Sequence, residues 1–142
     1  MSDAVNLCPR FHVAVELVGG RWTGAIISCL LGGRARYNEL RAAIPEISDR
    51  MLSERLRVLE TEGVVTRTVV PESPVRVEYE LTGKGRALED AIEAIGKWAT
   101  RWISEEDLAR NARNATPDVP RRQPQTARPT GAKRRPRARK RS

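Results

Sequence analysis

The chain has 142 residues with 26 Lys or Arg and 18 Asp or Glu, which gives a formal net charge of +8. This length allows at most one ordinary domain. Only 39% of the residues are hydrophobic, and no apolar run approaches the ~20 residues of a membrane span, which excludes an integral membrane protein. The N-terminal residues lack the basic and apolar regions of a signal peptide, which predicts a cytoplasmic protein.

Two regions differ sharply in charge. Residues 1–109 hold 14 basic and 17 acidic side chains, whereas residues 110–142 hold 12 basic and one acidic. The second region has five prolines and a single large apolar residue, Val119. Such a segment cannot bury enough surface to offset the entropy of ordering it. We therefore predict a folded domain at 1–109 and a disordered basic tail at 110–142.

Four helices are predicted in the first half. Phe11, Val15 and Val18 at helical spacing predict a first helix that ends at Gly19-Gly20. A second, mostly buried helix has the stripe Trp22, Ala25, Ile26, Cys29 and Leu30. Residues 37–43 form a short third helix, which ends before Pro45. Ser48 caps a fourth helix with the core stripe Leu52, Leu56 and Leu59. The result is a helix, a tight turn and a helix.

A hairpin and a long helix are predicted to follow. Residues 64–70 and 75–81 are β-branched runs joined by Pro71-Glu72-Ser73-Pro74, which predicts a hairpin with one wet face. Thr82 is the expected cap of a single last helix of about 21 residues. This helix carries a coiled-coil-like seam of Leu88, Ile92, Ile95, Ala99 and Trp102. We predict that the seam and the first helix join two subunits, although the stripe alternatively covers only the domain's own core.

This order of elements is that of a winged helix-turn-helix, mostly α-helical with a small β-hairpin wing. Six motifs in residues 7–103 are more specific. They are Cys8-Pro9, Gly19-Gly20-Arg21-Trp22, Arg36-Tyr37-Asn38-Glu39-Leu40, Ile47-Ser48-Asp49-Arg50-Met51-Leu52, Leu56-Arg57-Val58-Leu59-Glu60 and Val77-Glu78-Tyr79-Glu80-Leu81-Thr82. Together they resemble the HxlR-type transcription regulators, relatives of the MarR group. The resemblance implies a homodimeric regulator of nearby genes, usually a repressor and sometimes an activator.

The outer face of the fourth helix is the predicted DNA-reading surface. The polar side chains that remain outside, and that we expect to bind DNA, are Ser48, Asp49, Arg50, Ser53 and Arg57. Arg50 is the first choice for a base contact, because an arginine at the N-terminal end of a recognition helix can pair bidentately with guanine. The alternative is a solvated face on which Arg57 bridges to Glu54 or Glu60.

Further arginines are predicted near the wing. Strand alternation places Arg76 on the wet face close to the wing tip, where it can reach a minor groove or the DNA backbone. Arg67 on the other strand either does the same or pairs with Glu78 across the ladder. Arg34 and Arg36 precede the third helix and are expected to hold a phosphate with its N-terminal amides, or else only to solubilise an exposed turn.

Cys8 is the candidate regulatory residue. It lies outside the predicted packed helices, so we expect it to be accessible, whereas Cys29 falls within a buried stripe and is predicted to be a core residue. The resemblance implies that a cysteine at the place of Cys8 is a redox sensor in some members, which makes an oxidant or a small molecule a candidate effector. The alternative is a packing role alone.

Catalysis is not expected, because the sequence has no glycine-rich phosphate loop, no nucleophile elbow and one histidine, His12. Two cysteines and one histidine also argue against a metal site, and no cofactor is expected. We predict a sequence-specific regulator that binds a pseudo-palindromic operator in double-stranded DNA as a homodimer. The competing hypothesis is a sequence-indifferent nucleic-acid-coating protein, in which the tail supplies the affinity and the winged helix mainly dimerises.

Overall fold

The computed structural model describes residues 8–115. In chain order its elements are α1 Pro9–Val18, α2 Thr23–Leu31, β1 Ala35–Arg36, α3 Tyr37–Ala43, α4 Asp49–Thr61, β2 Val65–Val70, β3 Arg76–Leu81, α5 Gly83–Arg86, α6 Glu89–Trp102 and α7 Glu105–Asn114. The predicted mostly α-helical fold with a β-hairpin wing is confirmed. Of the helices in this range, none is long and apolar enough by itself to cross a membrane, and only α1 and α2 taken together, bent by 80°, meet those criteria.

The core lies between α2, α4 and the sheet. Large apolar side chains of α2, α3 and α4 that are at most 1% exposed are Ile26, Ile27, Leu30, Leu40, Leu52, Leu56 and Leu59, and Ile47 and Val64 from the flanking turns are buried equally. Tyr79 and Leu81 of β3 close this core from the sheet side. Each buried leucine contributes roughly 1.5–3 kcal/mol of transfer free energy, so the predicted stripe of α4 fixes which face of that helix turns outward.

The ends of α4 follow from two local features. The Ser48 hydroxyl accepts a hydrogen bond from the Met51 N–H at 3.2 Å, which confirms the predicted N-cap. At the other end, Gly63 has φ +72°, a left-handed conformation that a residue without a Cβ adopts readily. The helix therefore stops one turn before β2 begins.

The wing contains one strand more than predicted. β3 pairs with β2 and also with β1, so the described strands form a three-stranded antiparallel sheet in the order β1-β3-β2. In this register Arg67 lies opposite Tyr79, and Thr68 lies opposite Glu78. The predicted pairing of Arg67 with Glu78 is therefore wrong.

The predicted single last helix is also wrong, because α5 and α6 are separate. Thr82 caps α5 as expected, since its hydroxyl accepts from the Gly85 N–H at 3.2 Å. A Cβ at Gly85 would lie 2.2 Å from the carbonyl oxygen of Val64, so only glycine permits this close packing. The Leu88 N–H then bonds the Gly85 carbonyl three residues back, which interrupts the α-helical ladder.

The predicted domain boundary at residue 109 falls inside α7, so residues 110–114 are helical rather than disordered. A capping box explains this helix: the Asp107 N–H donates to the Ser104 hydroxyl at 3.2 Å, and the Ser104 N–H donates to the Asp107 carboxylate at 3.0 Å. Arg110 adds an ion pair with Asp107 one turn later. Residues 116–142 of the predicted tail lie outside the described residues.

Candidate nucleic-acid interface

Two arginines on the outer face of α4 are available to a ligand. Arg50 and Arg57 are exposed, and within residues 8–115 neither guanidinium forms an ion pair. In this range the structure therefore contains no ion pair of Arg57 with Glu54 or Glu60, which was the alternative. Because both arginines lie on a helix whose opposite face is buried, their guanidinium groups point away from the core.

Asp49 and Ser53 are instead held by side chains of α3. The Tyr37 hydroxyl lies 3.2 Å from the Asp49 Oδ1 and 3.1 Å from the Ser53 Oγ. The Arg41 Nε donates to the same Asp49 Oδ1 at 2.7 Å. Sequence reasoning missed Tyr37 and Arg41, because nothing in the local pattern identifies their partners. We refer to Tyr37, Arg41, Asp49 and Ser53 as the α3–α4 network.

The predicted phosphate site at the start of α3 is occupied by a side chain of that helix. The Glu39 Oε2 accepts a hydrogen bond from the Arg36 N–H at 2.7 Å. A carboxylate therefore already lies where an anion was predicted to bind. The Arg36 side chain itself is exposed at this position. Ser48 similarly uses its hydroxyl to cap α4.

Arg34 and Arg76 belong to a chain of alternating charges. Arg76 pairs with Glu72 at 3.1 Å and with Glu78 at 3.2 Å, and Arg34 pairs with Glu78 at 3.3 Å. Arg34 also donates to Glu80 at 3.0 Å, and this hydrogen bond, followed by the charge of that carboxylate, raises the pKa of the Arg34 guanidinium. We call this set the wing ion chain; from the wing tip to α5 it consists of Glu72, Arg76, Glu78, Arg34, Glu80 and Arg86.

The wing ion chain corrects the prediction that Arg34 acts at the start of α3, because its guanidinium is bound to carboxylates of β3. Arg76 lies near the wing tip, where it lines a cleft of about 520 Å³ between the wing and α3. Arg36 and Arg67, which form no ion pair with any residue from 8 to 115, line the same cleft. Residues of β1, β2 and β3 thus line one concave surface, to which Glu72, the partner of Arg76, also contributes.

An apolar groove lies between α1, α2 and α6, with a volume of about 730 Å³. Its lining includes Phe11, Val15, Leu88, Ile92 and Ile95. The predicted seam divides here into two parts. Leu88 and Ile92 pack against the domain's own core and Ala99 is half-buried, whereas Ile95 and Trp102 are 55% and 62% exposed.

The two cysteines differ in environment. Cys8 is exposed immediately before α1, and its carbonyl accepts a hydrogen bond from the His12 N–H at 3.1 Å. Cys29 is half-buried against the core, and this burial raises the pKa of its thiol. In the part of the chain from residue 8 to 115, no three His, Cys, Asp or Glu side chains group in a way that could hold a metal ion.

Comparison with known proteins identifies the family. A model described as HxlR-like helix-turn-helix matches residues 17–107. The HTH-type transcriptional regulator YvaP of Bacillus subtilis is 54% identical over 98 residues, which cover 69% of this chain and 91% of YvaP. The regulator YodB of the same organism is 43% identical over 102 residues, which cover 72% of this chain and 91% of YodB.

Two solved structures are similar as well. The quinone-bound form of YodB superposes with a TM-score of 0.60 at 40% identity and covers 68% of this chain and 100% of YodB. The redox regulator HypR in its oxidized form superposes with a TM-score of 0.64 at 36% identity and covers 68% of this chain and 99% of HypR. The family model and these relatives match the chain over the helix-turn-helix and the wing, and the chain belongs to the HxlR-like helix-turn-helix family of transcriptional regulators.

Proposed function

We propose that the protein is a sequence-specific repressor that binds a pseudo-palindromic operator in double-stranded DNA as a homodimer. The observation that carries this proposal is the outer face of α4, where Arg50 and Arg57 are exposed and form no ion pair within residues 8–115, while Asp49 and Ser53 are held by side chains of α3. An arginine in this position suits the acceptor pair of guanine in the major groove. The cleft lined by Arg36, Arg67 and Arg76 is proposed to receive the adjacent DNA backbone, with phosphate replacing the ion pairs of Arg76 to Glu72 and Glu78.

A selection from random 30-base-pair duplexes tests this function. The full-length protein is expected to enrich one motif with two-fold symmetry, because each subunit of a symmetric dimer presents the same α4. Enrichment of a motif without symmetry would contradict the homodimer on a palindrome. No enrichment over the starting pool would contradict sequence-specific binding and favour the nucleic-acid-coating alternative.

The basic segment that follows α7 is proposed to add affinity without adding base preference. We define this segment as residues 116–142, which follow α7 in the chain and contain ten Lys or Arg. Full engagement of ten charges with phosphate would contribute up to about −9 to the slope of log affinity against log salt concentration. We expect truncation after Ala115 to flatten this slope and to leave the ratio of operator to unrelated DNA affinity unchanged or higher, as measured by fluorescence anisotropy.

The matched control is a chain of full length in which those ten basic residues are glutamine, and it should behave like the truncation. Loss of all operator preference on truncation would overturn the assignment, because specificity would then lie in the tail. An unchanged salt slope would assign the tail another role, such as binding RNA.

Cys8 is proposed to sense an oxidant or a quinone. Exposure favours its reaction, while the raised pKa of the half-buried Cys29 disfavours the thiolate there. Similarity to a regulator solved with quinone bound and to a redox regulator solved oxidized supports this proposal. The Cys8 thiolate adds to a ring C=C bond of a quinone, and protonation then gives a hydroquinone thioether. Diamide instead accepts two electrons and two protons at its N=N bond, becoming a hydrazine, as two Cys8 thiols join in a disulfide.

We therefore expect diamide or benzoquinone to change the operator affinity of the wild type and of Cys29→Ser, but not that of Cys8→Ser. Electrophoretic mobility shift with and without each reagent measures this response. An equal response of the wild type and Cys8→Ser, or no response in the wild type, would remove the sensor role.

A further inference from the structure

We infer that Tyr37 and Arg41 are positioning residues that fix the N-terminal turn of α4, and that Asp49 is their internal anchor rather than a reader of bases. This inference rests on the proposed function and names the residues on which its specificity depends. It also narrows the base-reading set on α4 to Arg50 and Arg57.

The hydrogen bonds of the α3–α4 network cross the turn at several points. The Arg41 guanidinium spans it, because Nε donates to the Asp49 carboxylate at 2.7 Å and Nη1 donates to the Ile47 carbonyl at 2.5 Å. The Tyr37 hydroxyl lies 3.1 Å from the Asp49 backbone carbonyl as well as 3.1 Å from the Ser53 Oγ. Both the entry into α4 and its second turn are thus tied to α3.

This placement matters because Arg50 lies between the two tied residues, Asp49 and Ser53. A bidentate contact requires a guanidinium placed within a fraction of an ångström and a few tens of degrees. A shift of the N-terminal turn of α4 would displace all the side chains on that turn together, rather than a single side chain. Loss of the network should therefore reduce preference at all base pairs read by α4.

Global stability is a poor measure of this role. The side chains of Arg41 and Asp49 are 39% and 70% exposed, and an exposed ion pair contributes little to the free energy of unfolding. Local opening of the first turn is the sensitive measure, because the amides of Met51 and Leu52 are bonded there to the side chain and the carbonyl of Ser48.

Hydrogen exchange of the free protein gives the first test, which needs no DNA. Tyr37→Phe and Arg41→Gln are expected to speed amide exchange at Met51 and Leu52 by about threefold or more, with the urea midpoint nearly unchanged. Arg41→Lys, which can still donate to Asp49, should be intermediate. Arg57→Gln is the matched control, because Arg57 lies on α4 and its guanidinium forms no ion pair in the part of the chain that the structure describes; it should leave this exchange as in the wild type.

Selection from random 30-base-pair duplexes gives the second test. Arg41→Gln and Asp49→Asn should retain the preferred base at each position while lowering the preference severalfold at every base pair read by α4. Arg50→Ala should lower it at one base pair. Unchanged exchange in Tyr37→Phe and Arg41→Gln, or a changed base at a single position in Asp49→Asn, would overturn the inference.

The two proposals can fail separately. If the wild type enriches no motif, sequence-specific binding is wrong, while faster exchange in Arg41→Gln still supports the positioning of α4. If the wild type enriches a motif and Arg41→Gln enriches it equally well, the proposed function stands and the positioning role is wrong.

Discussion

Replacing Ile95 and Trp102 together by glutamate is expected to give a folded monomer that binds the operator at least about 100-fold more weakly than the wild type, because two linked half-site contacts exceed one by that order. Both side chains are more than half exposed, so the change leaves the core of the subunit intact. In a dimer they would be buried, where two introduced carboxylates per subunit are strongly unfavourable. Sedimentation velocity at micromolar concentration measures the change in mass.

Val69→Glu is the matched control, since Val69 is 47% exposed on β2 and belongs neither to the seam nor to α1. It should remain dimeric. A wild-type protein that sediments as a monomer at micromolar concentration would contradict the dimer, as would a double variant that stays dimeric.

Arg50→Ala is expected to cost ~1–3 kcal/mol per half-site and to relax preference at one base pair, because a bidentate pair with guanine discriminates by that amount. A symmetric operator contains two such contacts, so the total loss can approach twice this value. Arg57→Ala, if its partner is a phosphate, should weaken all sequences about equally. Anisotropy titrations against the operator and its single-base variants measure both effects.

Arg113→Ala provides the control for simple loss of charge, since Arg113 is exposed on α7 at a distance along the chain from α4. It should leave the base preference unchanged. Equal loss on every base variant in Arg50→Ala would make Arg50 a backbone contact and would move the base-reading role elsewhere on α4.

Much of the fold was predictable because its signals are local. The stripe of Leu52, Leu56 and Leu59 defines a helix face by itself, and the caps at Ser48 and Thr82 involve residues three positions apart. The apolar repeat of the last helix is equally local, but it continues through Leu88 and therefore gives no sign of the break that separates α5 from α6.

The missed features depend on long-range pairing. β1 has only two residues, which show no alternation, and its partner β3 lies far along the chain. The wing ion chain requires the strand register, since Glu78 faces Thr68 rather than Arg67 across the ladder. The start of α7 was also missed, but it does not depend on long-range pairing. Ser104 and Asp107 have the spacing of a capping box, which the sequence alone shows.

The wing ion chain has a consequence for how binding data on this protein are interpreted. Its alternating charges join the hairpin to Arg34, just before β1, and to α5 outside the apolar core, so added salt screens these ion pairs as well as the proposed contacts to DNA. We therefore expect part of the salt slope to come from loosening of the wing, so that a count of released counterions would exceed the number of phosphates contacted. The difference in slope between full-length and truncated protein is free of this error, because both carry the same wing.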